Sequence, residues 1–226
     1  MELERLEHQI GKENIEKIKS KTILIIGLGG VGGYALESLI RSGVENIIIV
    51  DGDVIEESNL NRQLIALHST IGLKKVDAFE QRILDINPNV KIKKIDKFIT
   101  EDNISLLFEN NIDYIVDACD TISTKIDIIR ECIKRKIIFI SCMGMGRKVD
   151  ITKLQIMDIR KTSYDPIAKM IRKFVRDEKI IEKIPVVSSA EQPLEEKNGI
   201  ISSNSFVPTI AGLMCSNYII NKIIGG

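Results

Sequence analysis

The chain has 226 residues, 44% of them hydrophobic, which is enough for one large α/β domain with a buried core and does not require a second. Its 32 basic and 32 acidic residues cancel, so a polyanion would have to be met by a local patch and not by a net field. Cys119, Cys132, Cys142 and Cys215 form no C-x-x-C pair, the start is charged, and no apolar run reaches the roughly 18 to 20 residues of a membrane span, so a soluble protein of the reducing cytoplasm is expected.

Residues 1 to 22 predict a charged helical arm. Residues 23 to 26 then run apolar into Gly27, Gly29, Gly30 and Gly32, with helical spacing over 32 to 43: the strand, tight turn and helix of a first βαβ unit. A second buried strand is expected at 46 to 51, ending on Asp51. Residues 69 to 87 have helical spacing and stop at Asn87-Pro88. Alternation over 90 to 96 predicts a strand, and 100 to 111 a capped helix. A buried strand at 113 to 120, an amphipathic helix at 123 to 136 and a strand at 137 to 146 complete five strands of a Rossmann-like, doubly wound, mainly parallel α/β sheet.

Beyond residue 146 the pattern loosens into a C-terminal elaboration. Residues 154 to 159 suit a strand, 165 to 179 a basic helix opened by Pro166, and 184 to 191 a late strand. A polar, turn-rich stretch at 192 to 209 leads to a final core helix at 210 to 224. The expected organisation is a single domain: arm 1 to 22, nucleotide-binding core 23 to 150, and substrate-binding elaboration 151 to 226.

A lone G-x-G-x-x-G leaves dehydrogenase, methyltransferase and nucleotide-transfer chemistry open. Asp51 stands where a carboxylate accepts a hydrogen bond from a ribose hydroxyl, which favours a nucleoside ligand. Residues 51 to 78 then supply Asp53, Asn59, Arg62, Gln63 and Lys75, more polar and cationic equipment than hydride transfer needs. Arg and Lys converging on a nucleotide suit a triphosphate, with Asp120 of the D-A-C-D stretch available to a metal. Each residue also has a plainer reading: Arg62 or Lys75 as a solvated helix charge, Asp120 as a helix N-cap, Asn59 as a turn former.

The stretches GLGGVGG, DGDVIEESNLNRQ, GLKKVDA and DACDT, in this order and spacing, resemble the ThiF/MoeB/HesA superfamily of adenylating enzymes, relatives of ubiquitin-activating enzymes, over nearly the whole chain. The resemblance implies that Gly27, Gly29, Gly30 and Gly32 line ATP, that Asp51 holds the ribose, and that Asn59, Arg62, Gln63 and Lys75 address the phosphates. It places Asp53 close by, makes Asp120 a Mg2+ ligand, and assigns Arg62, Lys75 and Asp120 to catalysis. Superfamily members that activate sulfur carriers commonly hold a structural zinc on two C-x-x-C pairs. The four scattered cysteines here supply no such pairs, and no zinc is expected.

The later stretches KTSYDPIA, VSSAE and SFVPTIAG resemble the branch of that superfamily that dehydrates threonylcarbamoyladenosine in tRNA. That implies adenylation of the substrate carboxylate followed by ring closure. Attack by the neighbouring carbamoyl nitrogen is intramolecular and needs positioning, not an enzyme nucleophile, so a covalent cysteine is dispensable. Cys142, at a strand end, is the one reactive candidate. A basic surface for tRNA is expected from Arg160, Lys161, Lys169, Arg172, Lys173 and Arg176, whose plainer reading is a solvated helix face.

The resemblance further implies a homodimer in which Arg5 or His8 of the arm reaches the partner's nucleotide, and a cysteine desulfurase or sulfur acceptor as partner. The alternative is activation of a ubiquitin-like sulfur carrier, whose tail a loop at 188 to 204 would accept. The closing Gly225-Gly226 is read as helix termination.

Overall fold

Seven strands, each four or five residues long, form one sheet in the order β3-β2-β1-β4-β5-β7-β6. They are β1 (Thr22–Ile26), β2 (Asn46–Val50), β3 (Lys91–Ile95), β4 (Tyr114–Asp117), β5 (Ile138–Cys142), β6 (Leu154–Asp158) and β7 (Pro185–Ser189). The computed structural model describes residues 3 to 196, 199 and 201 to 225. All pairings in the sheet are parallel except β6 with β7. Central strands covered on both faces read as unbroken apolar runs, as in Ile23 to Ile26 and Ile47 to Val50, all of them buried. The edge strand β3 instead exposes Lys91, Lys93 and Lys94, a charged rim that discourages pairing with another chain.

The helices are α1 (Glu4–Ile10), α2 (Lys12–Ser20), α3 (Gly32–Arg41), α4 (Lys75–Ile86), α5 (Ile122–Arg135), α6 (Pro166–Asp177) and α7 (Val207–Ile224). Helices α2, α3, α4 and α7 cover one face of the sheet and α5 and α6 the other, each group closing its own apolar cluster. Burying one side chain such as Ile219 of α7 contributes about 1.5–3 kcal/mol. Helix α7 lies against α3 so closely that a Cβ on Gly212 would stand 2.2 Å from the Val31 carbonyl oxygen, which only glycine permits. Glu37 of α3 takes paired hydrogen bonds from Arg82 of α4 (2.8 and 2.9 Å) and a third from Arg41 (2.7 Å). Burial pushes its carboxyl up, but the Arg82 and Arg41 bonds outweigh burial and hold it below its ordinary value.

Several expected elements differ, among them the strand expected to reach 146, which ends at Cys142. The helix expected from 69 begins only at Lys75, because the backbone of 72 to 75 bonds back to 53 to 55: Gly72 N–H to the Ile55 carbonyl, Ile55 N–H to the Leu73 carbonyl, Lys75 N–H to the Asp53 carbonyl. Residues 100 to 111 yield a short 3-10 helix, Ile104–Phe108, because the Asn103 side chain accepts from Thr100 N–H and donates to the Phe98 carbonyl, holding the loop before the helix and leaving it uncapped. The strand expected to reach 120 ends at Asp117, so 118 to 121 form a turn. Pro166 opens α6 as expected, with the Asp165 side chain capping Ala168 N–H at 2.8 Å. Gly225 follows the last turn of α7, its N–H bonding the Asn221 carbonyl; Gly226 and residues 197, 198 and 200 of the 188 to 204 loop lie outside the described residues.

Candidate functional site

From β1 the chain proceeds outward through β2 and β3, then returns to lay β4 on the other side of β1. At that reversal the loops leaving the carboxyl ends of β1 and β4 part, which is where open α/β sheets bind ligands. A cleft of about 400 Å³ opens there, lined by Gly27, Gly29 and Gly30 after β1, Asp51 and Asp53 after β2, and the Ala118 to Thr121 turn after β4.

The glycines divide the work. Gly27 has φ +84, and a Cβ on it would stand 2.8 Å from the Ala118 carbonyl oxygen, so it brings the first loop against the β4 turn. A Cβ on Gly29 would meet nothing nearer than 3.9 Å, the Gln63 amide nitrogen. The protein alone leaves that space open, a cradle that suits a ligand against the backbone. Gly30 also lines the cleft, beside Pro208. Gly32, also expected to line ATP, is placed differently from Gly27, Gly29 and Gly30. It is buried outside the lining, where a Cβ would fall 1.7 Å from the Gly27 carbonyl oxygen, and it serves the packing of turn on helix.

Asp51 accepts from Leu28 N–H at 2.7 Å and from Asp53 N–H at 2.8 Å. Lys75, the first residue of α4, sends its ammonium to Asp53 at 2.7 Å and stands 3.8 Å from Asp51. Burial pushes the Asp51 carboxyl above its ordinary value, against the pull of Lys75. Lys75 is 4% exposed, which removes its reading as a solvated helix charge. The two carboxylates hold the ammonium at the wall of the cleft.

Asn59 is both turn former and lining residue: its side-chain oxygen accepts from Glu56 N–H at 3.2 Å, closing the 3-10 turn Glu57–Asn59, and it stays buried beside the cleft. Half-buried Arg62 bonds the Ser58 carbonyl and the Asn61 side chain, both at 2.9 Å, and keeps its place in the lining. Gln63 is buried with its side-chain oxygen unpaired, an orphan acceptor at the cleft. Asp120 is exposed, lies in the β4–α5 turn and makes no hydrogen bond among the described residues; α5 is preceded by Thr121 with no side-chain cap, so the N-cap reading of Asp120 does not hold.

Sequence reasoning missed Lys97 and Phe98 after β3, Thr121 after β4, Met145 and Gly146 after β5, Ser203 in the loop before α7 and Pro208 in its first turn, all of which line the cleft. Phe98 is 65% exposed, and an isolated phenyl in a polar loop carries no pattern that would have flagged it. Pro208 lies within the SFVPTIAG stretch, and only the packing of α7 beside Gly30 shows that it faces the cleft.

The basic residues of the elaboration separate into two kinds. Arg160 is engaged by the Asp158 carboxylate and the Ile180 and Glu182 carbonyls, and Arg172 by the Thr162 carbonyl and hydroxyl, so both spend donors inside the fold. Lys161, Lys169, Lys173 and Arg176 are exposed, and of these Arg176 pairs with the Asp177 carboxylate at 3.1 Å. Arg5 and His8 are exposed on α1, which buries no residue, and neither lines the cleft. Cys142, the reactive candidate, is buried at the end of β5 and outside the lining; the cleft cysteine is Cys119. Its thiol is pushed up by burial and by the charge of Asp117, 3.1 Å from its sulfur, which disfavours the thiolate. Burial likewise pushes up Cys132, while Cys215 is pushed up first by a hydrogen bond with Cys142 and then by burial. No described helix is long and apolar enough to cross a membrane.

The model of the ThiF family matches residues 3 to 225. The chain is 41% identical over 237 aligned residues to a Bacillus subtilis tRNA threonylcarbamoyladenosine dehydratase, covering 97% of this chain and 93% of that protein. It is 36% identical to tRNA threonylcarbamoyladenosine dehydratase 2 of Saccharomyces cerevisiae, where the match spans 83% of this chain and 42% of that longer protein. Among solved structures, E. coli tRNA N6-threonylcarbamoyladenosine dehydratase, TcdA, in complex with ATP superposes with a TM-score of 0.92 at 27% identity, covering 99% of this chain and 93% of that one.

Proposed function

The chain belongs to the ThiF family, and from that premise we infer that it is an ATP-dependent dehydratase acting on threonylcarbamoyladenosine in tRNA. One observation carries the reading of the cleft: the buried Lys75 ammonium and the uncommitted Asp120 carboxylate border the same open space over Gly29. A cation for phosphate oxygens and a carboxylate for a metal, around a glycine cradle, suit a metal-bound triphosphate.

A carboxylate becomes a good acyl donor once its oxygen carries AMP. In the proposed first step a substrate carboxylate oxygen bonds the α-phosphorus of ATP as the bond to pyrophosphate breaks. Lys75 and Arg62 neutralise charge growing on the phosphate oxygens, Asp51 orients the ribose, and the α3 N-terminus adds its dipole. In the second, the carbamoyl nitrogen attacks the activated carbonyl, AMP leaves, and the nitrogen's proton is released, so that one water is lost overall. Asp120 would hold Mg2+ beside the phosphates. When bound, that ion supplies charge neutralisation to the phosphates.

Lys161, Lys169, Lys173 and Arg176 support tRNA docking on the α6 side, through phosphates. The arm, with Arg5 and His8 exposed, is available to a second copy in a homodimer. Incubation of the protein with ATP, Mg2+ and tRNA bearing threonylcarbamoyladenosine tests the function. The nucleoside should lose one water as AMP and pyrophosphate appear; an unchanged nucleoside, with adenylate forming on a carrier-protein C-terminus, would replace this reading with the carrier-activating one.

A further inference from the structure

Besides Lys75 with Asp51 in the cleft, two ion pairs among the described residues have both side chains buried, Lys148 with Asp165 and Lys125 with Asp117. Asp165 already has a local task as the α6 cap. Asp117 and Lys125, both with fully buried side chains, have none in the chemistry described above. Desolvating two charges is costly before their attraction is counted, so such a pair is weak evidence for stability and asks for another role.

The geometry points to Asp117 and Lys125 as positioning residues that fix the 118 to 121 turn and so aim Asp120 at the metal side of the cleft. The inference rests on the Asp120 reading above. Asp117 ends β4, and its two oxygens bond to both sides of the turn. One accepts from Cys119 N–H at 3.2 Å and from the Cys119 thiol at 3.1 Å. The other accepts from the Lys125 ammonium at 3.0 Å and the Ser141 hydroxyl at 2.5 Å. Lys125 lies in the first turn of α5, its N–H on the Thr121 carbonyl, and Ser141 is on the neighbouring strand β5. One carboxylate thus joins the strand end, the turn, the helix start and the next strand.

The turn needs this clamp because α5 has no side-chain cap. Capping would ordinarily occupy a residue such as Asp120; with the turn held from beneath, Asp120 is left unbonded and facing the cleft. Ala118, between the clamp and Asp120, is also the residue against which Gly27 packs, so the clamp registers the turn to the glycine loop. Burial opposes the charge on Lys125, but Asp117 outweighs it and keeps the ammonium charged, as the clamp requires.

The test compares Asp120→Asn, Lys125→Met and the double variant Asp117→Asn, Lys125→Met by calorimetric ATP binding across a Mg2+ titration, beside thermal denaturation. Asp120→Asn and the double variant should each need roughly tenfold more Mg2+ for half-maximal ATP binding, the scale on which outer-shell residues alter metal affinity, with metal-free ATP binding no weaker than in the wild type. Lys125→Met alone should also melt lower, because it strands Asp117, while the double variant regains melting temperature and not Mg2+ affinity. A double variant with the wild-type Mg2+ midpoint, beside a shifted Asp120→Asn, would make the pair structural only and overturn the inference. An unshifted Asp120→Asn would instead remove the Asp120 reading, and the inference with it. If the double variant does not fold, Ser141→Ala takes its place: a rise in the Mg2+ midpoint supports the clamp and an unmoved midpoint overturns it.

Discussion

At the scale of single residues, the glycine loop gives the sharpest separation of fold from function. A methyl group at position 29 would touch nothing closer than ordinary van der Waals distance, so Gly29→Ala should fold with wild-type stability to within about 0.5 kcal/mol. It should still lose ATP, because the methyl fills the space the cleft keeps open. Calorimetry showing unaltered ATP affinity would remove Gly29 from the nucleotide site. Its neighbours Gly27 and Gly32 behave oppositely: there a Cβ meets backbone at 2.8 and 1.7 Å, and substitution should unfold the loop. The sequence spacing made the whole motif legible without distinguishing these roles. Asp51 and Asp120 were legible as cleft residues because each lies at or just past the end of a strand, and Lys75 because a cation follows the ribose carboxylate in the GLKKVDA stretch. Lys125 was readable in principle and overlooked: with Ile128, Ile129 and Cys132 it occupies the i, i+3, i+4, i+7 face that α5 buries, and a lysine on an apolar face signals a partner.

At the scale of elements, strands were easier to place than helix starts. An apolar β-branched run bounded by turn residues declares a buried parallel strand locally, whereas the start of α4 is decided by backbone bonds between 72 to 75 and 53 to 55, which no periodicity encodes. That pairing sets Lys75 at the first position of the helix, beside Asp51 and Asp53. Helix α6 shows the complementary case. Its apolar face, Ala168, Ile171, Phe174 and Val175, is buried on the sheet, and the outer face carries Lys169 and Lys173. Reversing both to Glu should leave ATP binding and folding intact, weaken tRNA binding, and reduce the slope of log affinity against log salt by about 2, one for each phosphate no longer neutralised. Arg172 is unsuited to that experiment, since its bonds to Thr162 tie α6 to the preceding segment. A tRNA affinity unchanged at every salt concentration would leave α6 a solvated face.

At the scale of the whole molecule, the cleft draws on nearly the full chain, from Ile26 at the end of the first strand to Pro208 in the last helix. The apolar clusters on the two faces meet through the strands they share, and α7 packs back onto the α3 start that borders the glycine loop. Arm, core and elaboration are therefore proposed to unfold as one cooperative unit, and a ligand in the cleft should stabilise all of it. Binding to the folded state alone contributes about 2.7 kcal/mol when free ligand is 100 times its dissociation constant. For a chain of this size about 2–4 °C accompanies each kcal/mol, so Mg2+ and ATP at that ratio should raise the melting midpoint by roughly 5–10 °C. Calorimetry should show a single transition before and after addition, displaced as a whole, and Gly29→Ala should melt like the wild type but not respond to ATP. Two transitions, of which ATP moves only one, would instead divide the nucleotide-binding core from the C-terminal elaboration, and the residues that elaboration lends to the cleft, Ser203 and Pro208, would then join the ligand on closing and not belong to a preformed site.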